Sequence, residues 1–310
     1  MKRDYWSIKT EMKQDNIFKQ IFMLILPMAL YLGIQFFCVN FGYFLVVFFS
    51  ALFGKVDLAG DGVQVSTKLL LILNMIASIS AIPIFTMMYQ REENHESFWK
   101  NDYPVKLLGK FIWIIPFGLF AMLSANFVVS FLSLFMPDFM IESYSDTKEI
   151  IDNAPGSLQV IASVILAPIV EELIFRGLIY TRLKQMTSLK AAAVISAALF
   201  GAFHMNWLQA PYAFLIGIMC VFVYEKYQTI FATIFFHGMA NMFSVLSMFM
   251  LGGGGESTEQ PSTGQLVIAY IFWIWITGAF VVLIGMIINH RVKIKEIKKN
   301  EVIDDYDSML

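Results

Sequence analysis

Residues 21–54 are 34 consecutive positions without one Asp, Glu, Lys or Arg. That run narrows what the chain can fold into more than any other feature. In lipid, no water is at hand to satisfy a stray backbone N–H or C=O, so a crossing segment must pair these groups within itself, as an α-helix does. About 20 apolar residues suffice for one crossing. Comparable runs recur to the end of the chain, and only 15% of its residues are charged, against roughly 25% in a soluble domain. The expected fold is all-α, a polytopic integral membrane helix bundle with about eight transmembrane helices.

Those spans fall at about 21–50, 69–90, 111–136, 156–180 and 189–207, then at a sixth that follows Pro211 and ends near Glu225, and at 229–250 and 266–289. The first run would measure about 50 Å as one helix, longer than the ~30 Å hydrocarbon core. Asn40-Phe41-Gly42 is the natural place to break it. Loop charge argues for one crossing. With eight spans, one side of the membrane collects five Lys/Arg before residue 21, four in 91–110, three in 182–190 and five after His290. The other side holds Lys55, Lys68 and Lys148. The positive-inside rule then places both termini in the cytoplasm, and splitting the first run would put five positive charges outside. The chain is thus read as a partly amphipathic cytoplasmic lead-in (1–20), three spans (21–136), a four-helix core (156–250), a last span (266–289) and a charged cytoplasmic tail (290–310). Residues 137–155 form an acidic external loop with room for a short helix, and 252–264, with four consecutive glycines, read as a flexible connector.

A net charge of −2 gives no footprint for nucleic acid. The two cysteines, Cys38 and Cys220, lie in apolar runs and read as small core residues, neither a disulfide pair nor a metal pair.

Against this background the charges inside the fourth span stand out. Glu171 and Glu172 are adjacent, and Arg176 follows one helical turn later. A charge near the bilayer centre costs at least ~2.5–3.5 kcal/mol on insertion scales, so three are retained only with partners or a task. On a helix Glu172 and Arg176 share a face, while Glu171 is turned ~100° away. Arg176 therefore neutralises one carboxylate and leaves the other aimed elsewhere. Pro168, just before, removes a backbone hydrogen bond and frees a carbonyl near the same place. Two of the four histidines also lie in spans. Phe200 and His204 are one turn apart in the fifth; His237 and Asn241 are one turn apart in the seventh, with Gly238 and Ala240 between them allowing close helix approach. Taken singly, the first set also reads as a Glu–Arg pair gluing helices or a span that ends near Glu171, the second as a hydrogen-bonded packing histidine, and the third as polar glue between helices. Counted from the 182–190 loop, Glu171 and His204 lie about ten to fifteen residues deep, and His237 lies about ten residues in from the same side, so one layer of a bundle would hold all three.

In order and in neighbouring helices, Glu171-Glu172…Arg176, Phe200…His204 and His237…Asn241 resemble the three motifs of the CPBP family, the CAAX-processing and bacteriocin-processing intramembrane endopeptidases. The resemblance covers about residues 157–245. It implies a hydrolase in which Glu171 is the general base, His204 moves the water's proton, and His237 with Asn241 donates to the oxyanion. Glu172 would orient His237, Arg176 would hold the carboxylates, and Phe200 belongs to the supporting set. No cofactor is expected; a divalent metal such as zinc, held by Glu171, His204 and His237, is the competing chemical account. The partners implied are the lipid bilayer and a membrane-associated peptide or protein substrate, in a bacterial plasma membrane. A transporter would also bury such groups, but the ionisable residues concentrate in one half of the chain, without repeated halves. A non-catalytic membrane scaffold or bacteriocin self-immunity factor of the same fold is the alternative from another class, and tolerance of Glu171 loss separates it from the enzyme.

Overall fold

The computed structural model describes residues 16–53, 67–91, 110–152, 154–251 and 262–292. The lead-in before Asn16, most of the glycine-rich connector and the tail beyond Val292 lie outside the described residues. Among the described residues all regular structure is helical, in nine helices: α1 Ile17–Leu52, α2 Thr67–Arg91, α3 Ile114–Ser133, α4 Asp138–Asp152, α5 Gly156–Met186, α6 Leu189–Phe203, α7 Gln209–Tyr227, α8 Ile230–Leu251 and α9 Thr263–Arg291.

Local chemistry sets several of the ends. Asn16 caps α1 by accepting from Phe18 N, Ser188 caps α6 by accepting from Ala191 N, and Ser262 with Gln265 forms a reciprocal capping box on α9. Gln228, in the left-handed region, closes α7.

α1 is one unbroken helix of 36 residues, about 54 Å long. Asn40 does not interrupt it, because its side chain donates back to Phe36 O. Among the described residues five helices, α1, α2, α3, α5 and α9, are long and apolar enough to cross a membrane. The expected count of eight rests in addition on α6, α7 and α8. α6 stops at Phe203, short of the expected 207, and its 15 residues span only about 22 Å. The short helix for which 137–155 has room is α4.

α5 is the centre of the bundle. α1, α2, α6, α7 and α8 all pack against it, α3 packs on α7 and α8, and α9 packs on α3. Its stretch from Leu173 to Tyr180 is buried all round, as a helix inside a bundle must be. By contrast α1 and α9 turn large apolar side chains outward, among them Phe36, Phe37, Ile268 and Trp275. This is the distribution of an integral membrane protein, whose outer face meets lipid.

α5 is not a uniform α-helix. Val160–Leu166 and Leu173–Tyr180 are π-helical, separated by one α-helical stretch, Ala167–Glu172, that carries both glutamates. Two prolines free carbonyls that other helices then take up. In α1, Pro27 brings no N–H to Met23 O, and Arg182 of α5 donates there instead, pinning the two helices. In α5, Ala167 N donates five residues back, to Ala162 O. The next donor in that register would be Pro168, so Ser163 O is left without a helical partner. Asn241 of α8 supplies it, donating its Nδ2 at 2.7 Å.

Candidate active site

Glu172 and Arg176 lie on the innermost face of α5, and both side chains are fully buried. Arg176 Nη1 donates to Glu172 Oε1 at 2.9 Å, and Nη2 donates to Gly217 O of α7, also at 2.9 Å. The guanidinium lies 4.7 Å from the centre of the Phe200 ring, within cation–π range. A buried charge pair needs this density of partners to offset its desolvation.

His237 of α8 completes the group. Its Nδ1 is 3.0 Å from Glu172 Oε1. The Glu172 carboxylate, already paired with Arg176, is the acceptor here, so Nδ1 carries a hydrogen, and in the neutral imidazole Nε2 then holds the lone pair. That Nε2 lies 3.8 Å from Glu171 Oε2, too far for a direct hydrogen bond. Glu171 thus stands apart from Arg176, across the imidazole from Glu172. It is the less buried of the two carboxylates, at 16% against 0% exposure. Glu171 Oε2, Glu172 Oε2 and Arg176 Nε are buried without a hydrogen-bond partner among the described residues.

Phe200 explains why a phenylalanine stands one turn before His204. Its ring is a hub: Arg176 stacks on it, and Phe175, His204 and His237 meet it edge-to-face at centroid distances of 5.0, 4.9 and 5.7 Å. His204 sits at the C-cap of α6, where its Nδ1 is 2.8 Å from Phe200 O. That carbonyl is an acceptor, so Nδ1 donates to it, and the neutral form of His204 presents Nε2 as its lone pair. No carboxylate comes within 4.0 Å of His204 among the described residues. The structure therefore gathers Glu171, Glu172, Arg176, Phe200 and His237 directly, joins His204 through the Phe200 ring, and ties Asn241 to the backbone of α5.

Small residues permit this convergence. A Cβ on Gly238 would lie 2.8 Å from Val164 O, and one on Gly217 would lie 3.0 Å from Ala197 Cβ. Gly238→Ala is therefore expected to push α8 off α5 and lower stability by about 1–3 kcal/mol, the usual cost of overpacking. A fall in melting temperature in detergent, with the Glu172–His237 contact loosened, checks it. Asn241→Ala is expected to cost about 1–3 kcal/mol by orphaning Ser163 O. Asn241→Asp should do no better, because a carboxylate cannot donate to that carbonyl; denaturant or thermal unfolding reads both.

Some neighbours carried no signal in the sequence. Gly217 gives Arg176 a backbone carbonyl, which no residue type announces. Tyr31 of α1, sharing a hydrogen bond with Ser78, and Tyr212 of α7 lie within electrostatic reach of Glu171. Cys220 of α7, read from the sequence as a core residue, is a free, buried thiol beside Glu172 and His237. Glu171, His204 and His237, the set a catalytic zinc would draw on, do not bring their ligand atoms within 4.8 Å of one another. Zinc held by all three would need them about 3–4 Å apart, so these residues do not fit that ion as they stand.

Comparison with known proteins agrees with the motif reading. Residues 153–243 match the family model described as type II CAAX prenyl endopeptidase Rce1-like, an interval that contains every motif residue from Glu171 to Asn241. A protein of Bacillus subtilis (strain 168), YdiL, named as a candidate membrane peptidase, is 34% identical over 116 residues, which are 37% of this chain and 47% of that protein. The match thus spans about half the length of that relative. No solved structure matches the chain.

Proposed function

We propose that this chain, whose residues 153–243 match the type II CAAX prenyl endopeptidase Rce1-like model, is an intramembrane endopeptidase that hydrolyses peptide bonds of membrane-associated peptides or proteins with a water activated by Glu171. The observation that carries the reading is the pair of groups facing each other across 3.8 Å, Glu171 Oε2 and His237 Nε2, backed by Glu172 and Arg176.

Both facing atoms are acceptors, so a water between them would donate one hydrogen to each. Glu171 would take a proton as the oxygen attacks the scissile carbonyl, and would return it to the leaving nitrogen. His237 would hold the second hydrogen. Glu172 fixes its tautomer and would stabilise the imidazolium if it charges, the role a buried carboxylate plays behind a catalytic histidine. Arg176 holds the Glu172 carboxylate in place for that purpose. Asn241 has two amide hydrogens; one is spent on Ser163 O, which fixes the side chain, and the other is available to the oxyanion. His204, its Nε2 unbonded on the far edge of the Phe200 ring, is suited to relaying a proton outward. The setting is a plasma membrane with both termini in the cytoplasm, and no nucleic acid takes part.

The test is a mass-spectrometric search for new peptide termini in membranes containing equal amounts of wild type or Glu171→Ala. Termini that depend on Glu171 support the protease and identify a substrate. Identical peptide sets from two folded proteins, in cells carrying the natural proteome, would move the reading to the scaffold or immunity class.

A further inference from the structure

We propose that Cys220, His237 and Glu172 form a binding site for a single soft metal ion, such as zinc or cadmium, that switches the proposed peptidase off. Cys220 lies on α7 three residues after Gly217, the residue whose carbonyl anchors Arg176, and its side chain is completely buried. One ligand atom from each of Cys220, His237 and Glu172 lies within 4.8 Å of the other two, and no other such set of three occurs among the described residues. The second observation is the free acceptor: Glu172 Oε1 serves both Arg176 and His237, while Oε2 is buried with no partner. An ion on Oε2 would leave the Arg176 contact in place.

The donor set selects the metal. Thiolate with imidazole favours zinc, cadmium or cuprous copper over magnesium, calcium or manganese. Bond lengths of about 2.0–2.3 Å put the ligand atoms of such a site about 3–4 Å apart, so atoms already within 4.8 Å of one another need to close by no more than about 1–2 Å. The protons balance simply. Cys220 releases its thiol proton to solvent as the sulfur binds. The imidazole stays neutral, its hydrogen passing from Nδ1, where the metal binds, to Nε2. His237 then no longer bonds Glu172, and it turns an N–H toward Glu171 in place of its lone pair. Binding stands on this geometry alone; the loss of activity rests on the proposed function as well.

The experiment titrates purified protein in detergent with cadmium chloride and follows the ultraviolet thiolate-to-cadmium charge-transfer band. Cys38, on α1, is the internal control. The expected result is a band saturating at one equivalent in wild type and Cys38→Ser, lost in Cys220→Ser, and weakened in His237→Gln. Should Cys220→Ser fail to fold, X-ray absorption of the cadmium-loaded Cys38→Ser protein still decides, with one sulfur neighbour expected per cadmium. A band that persists without Cys220, that follows Cys38, or that never forms on folded wild type overturns the site. If the band forms and cleavage is unaffected, the inhibitory role is overturned while the site stands.

Discussion

Glu171→Gln is expected to reduce peptide-bond cleavage by about 10²–10⁴-fold, the range for loss of a positioned acid–base group. The same change should leave folding nearly untouched. Glu171 makes no contact with Arg176, and its nearest cationic candidate, His237 Nε2, is 3.8 Å away. Removing its charge therefore orphans no buried partner. Initial rates on a substrate found through its new termini, beside melting temperatures in detergent, separate the two effects. A rate within about threefold of wild type, far outside the range for a lost general base, would sink the glutamate mechanism. Glu172→Gln should behave differently, losing stability together with rate, because Glu172 Oε1 holds both Arg176 and His237.

Arg176→Leu is expected to have the largest effect on folding, about 3–5 kcal/mol, because it leaves Glu172 as an unpaired charge in the middle of the bundle. Gly217 O loses its donor at the same time, and the Phe200 ring loses the guanidinium stacked on it. Arg176→Lys should recover only part of this: an ammonium keeps the charge but not the planar fork that reaches Glu172 and Gly217 together. Coupling gives the sharper test. Removing both partners, Glu172→Leu with Arg176→Leu, should destabilise less than the sum of the two single changes, since neither charge is then stranded. Additive losses would mean that the pair contributes nothing as a pair.

Much of the site was legible in the sequence because helical spacing is rigid. Glu172 and Arg176 are four residues apart in a helix, so their pairing at 2.9 Å follows from periodicity. Phe200 and His204, and His237 and Asn241, are fixed to common faces by the same rule. Pro168 announced a freed carbonyl, but not its recipient. Nothing in the sequence said that Asn241, 78 residues later, would fill Ser163 O. The length of α6 was also misjudged. The run 189–207 carries no Asp, Glu, Lys or Arg after Lys190, yet the helix closes at Phe203, where His204 bonds back to Phe200 O and Asn206 caps the next helix through Leu208 N and Gln209 N. Hydropathy records which residues tolerate lipid and is blind to where a side chain takes over from the backbone.

The sequence by itself determined the all-helical membrane fold, because uncharged runs in lipid have no other way to pair their backbones. It also determined which polar residues share a turn, because i, i+4 geometry is local. Only the tertiary structure decided how the turns meet. It gave Glu172 to Arg176 and His237 together and left Glu171 facing the free nitrogen of the same imidazole. It made the Phe200 ring the surface on which Arg176 and both histidines pack, and brought Cys220 beside the pair. These are contacts between helices far apart in the chain. They depend on where Gly217 and Gly238 let backbones close in and on the two π-helical segments that turn α5 on its axis, and neither leaves a periodic trace in the sequence.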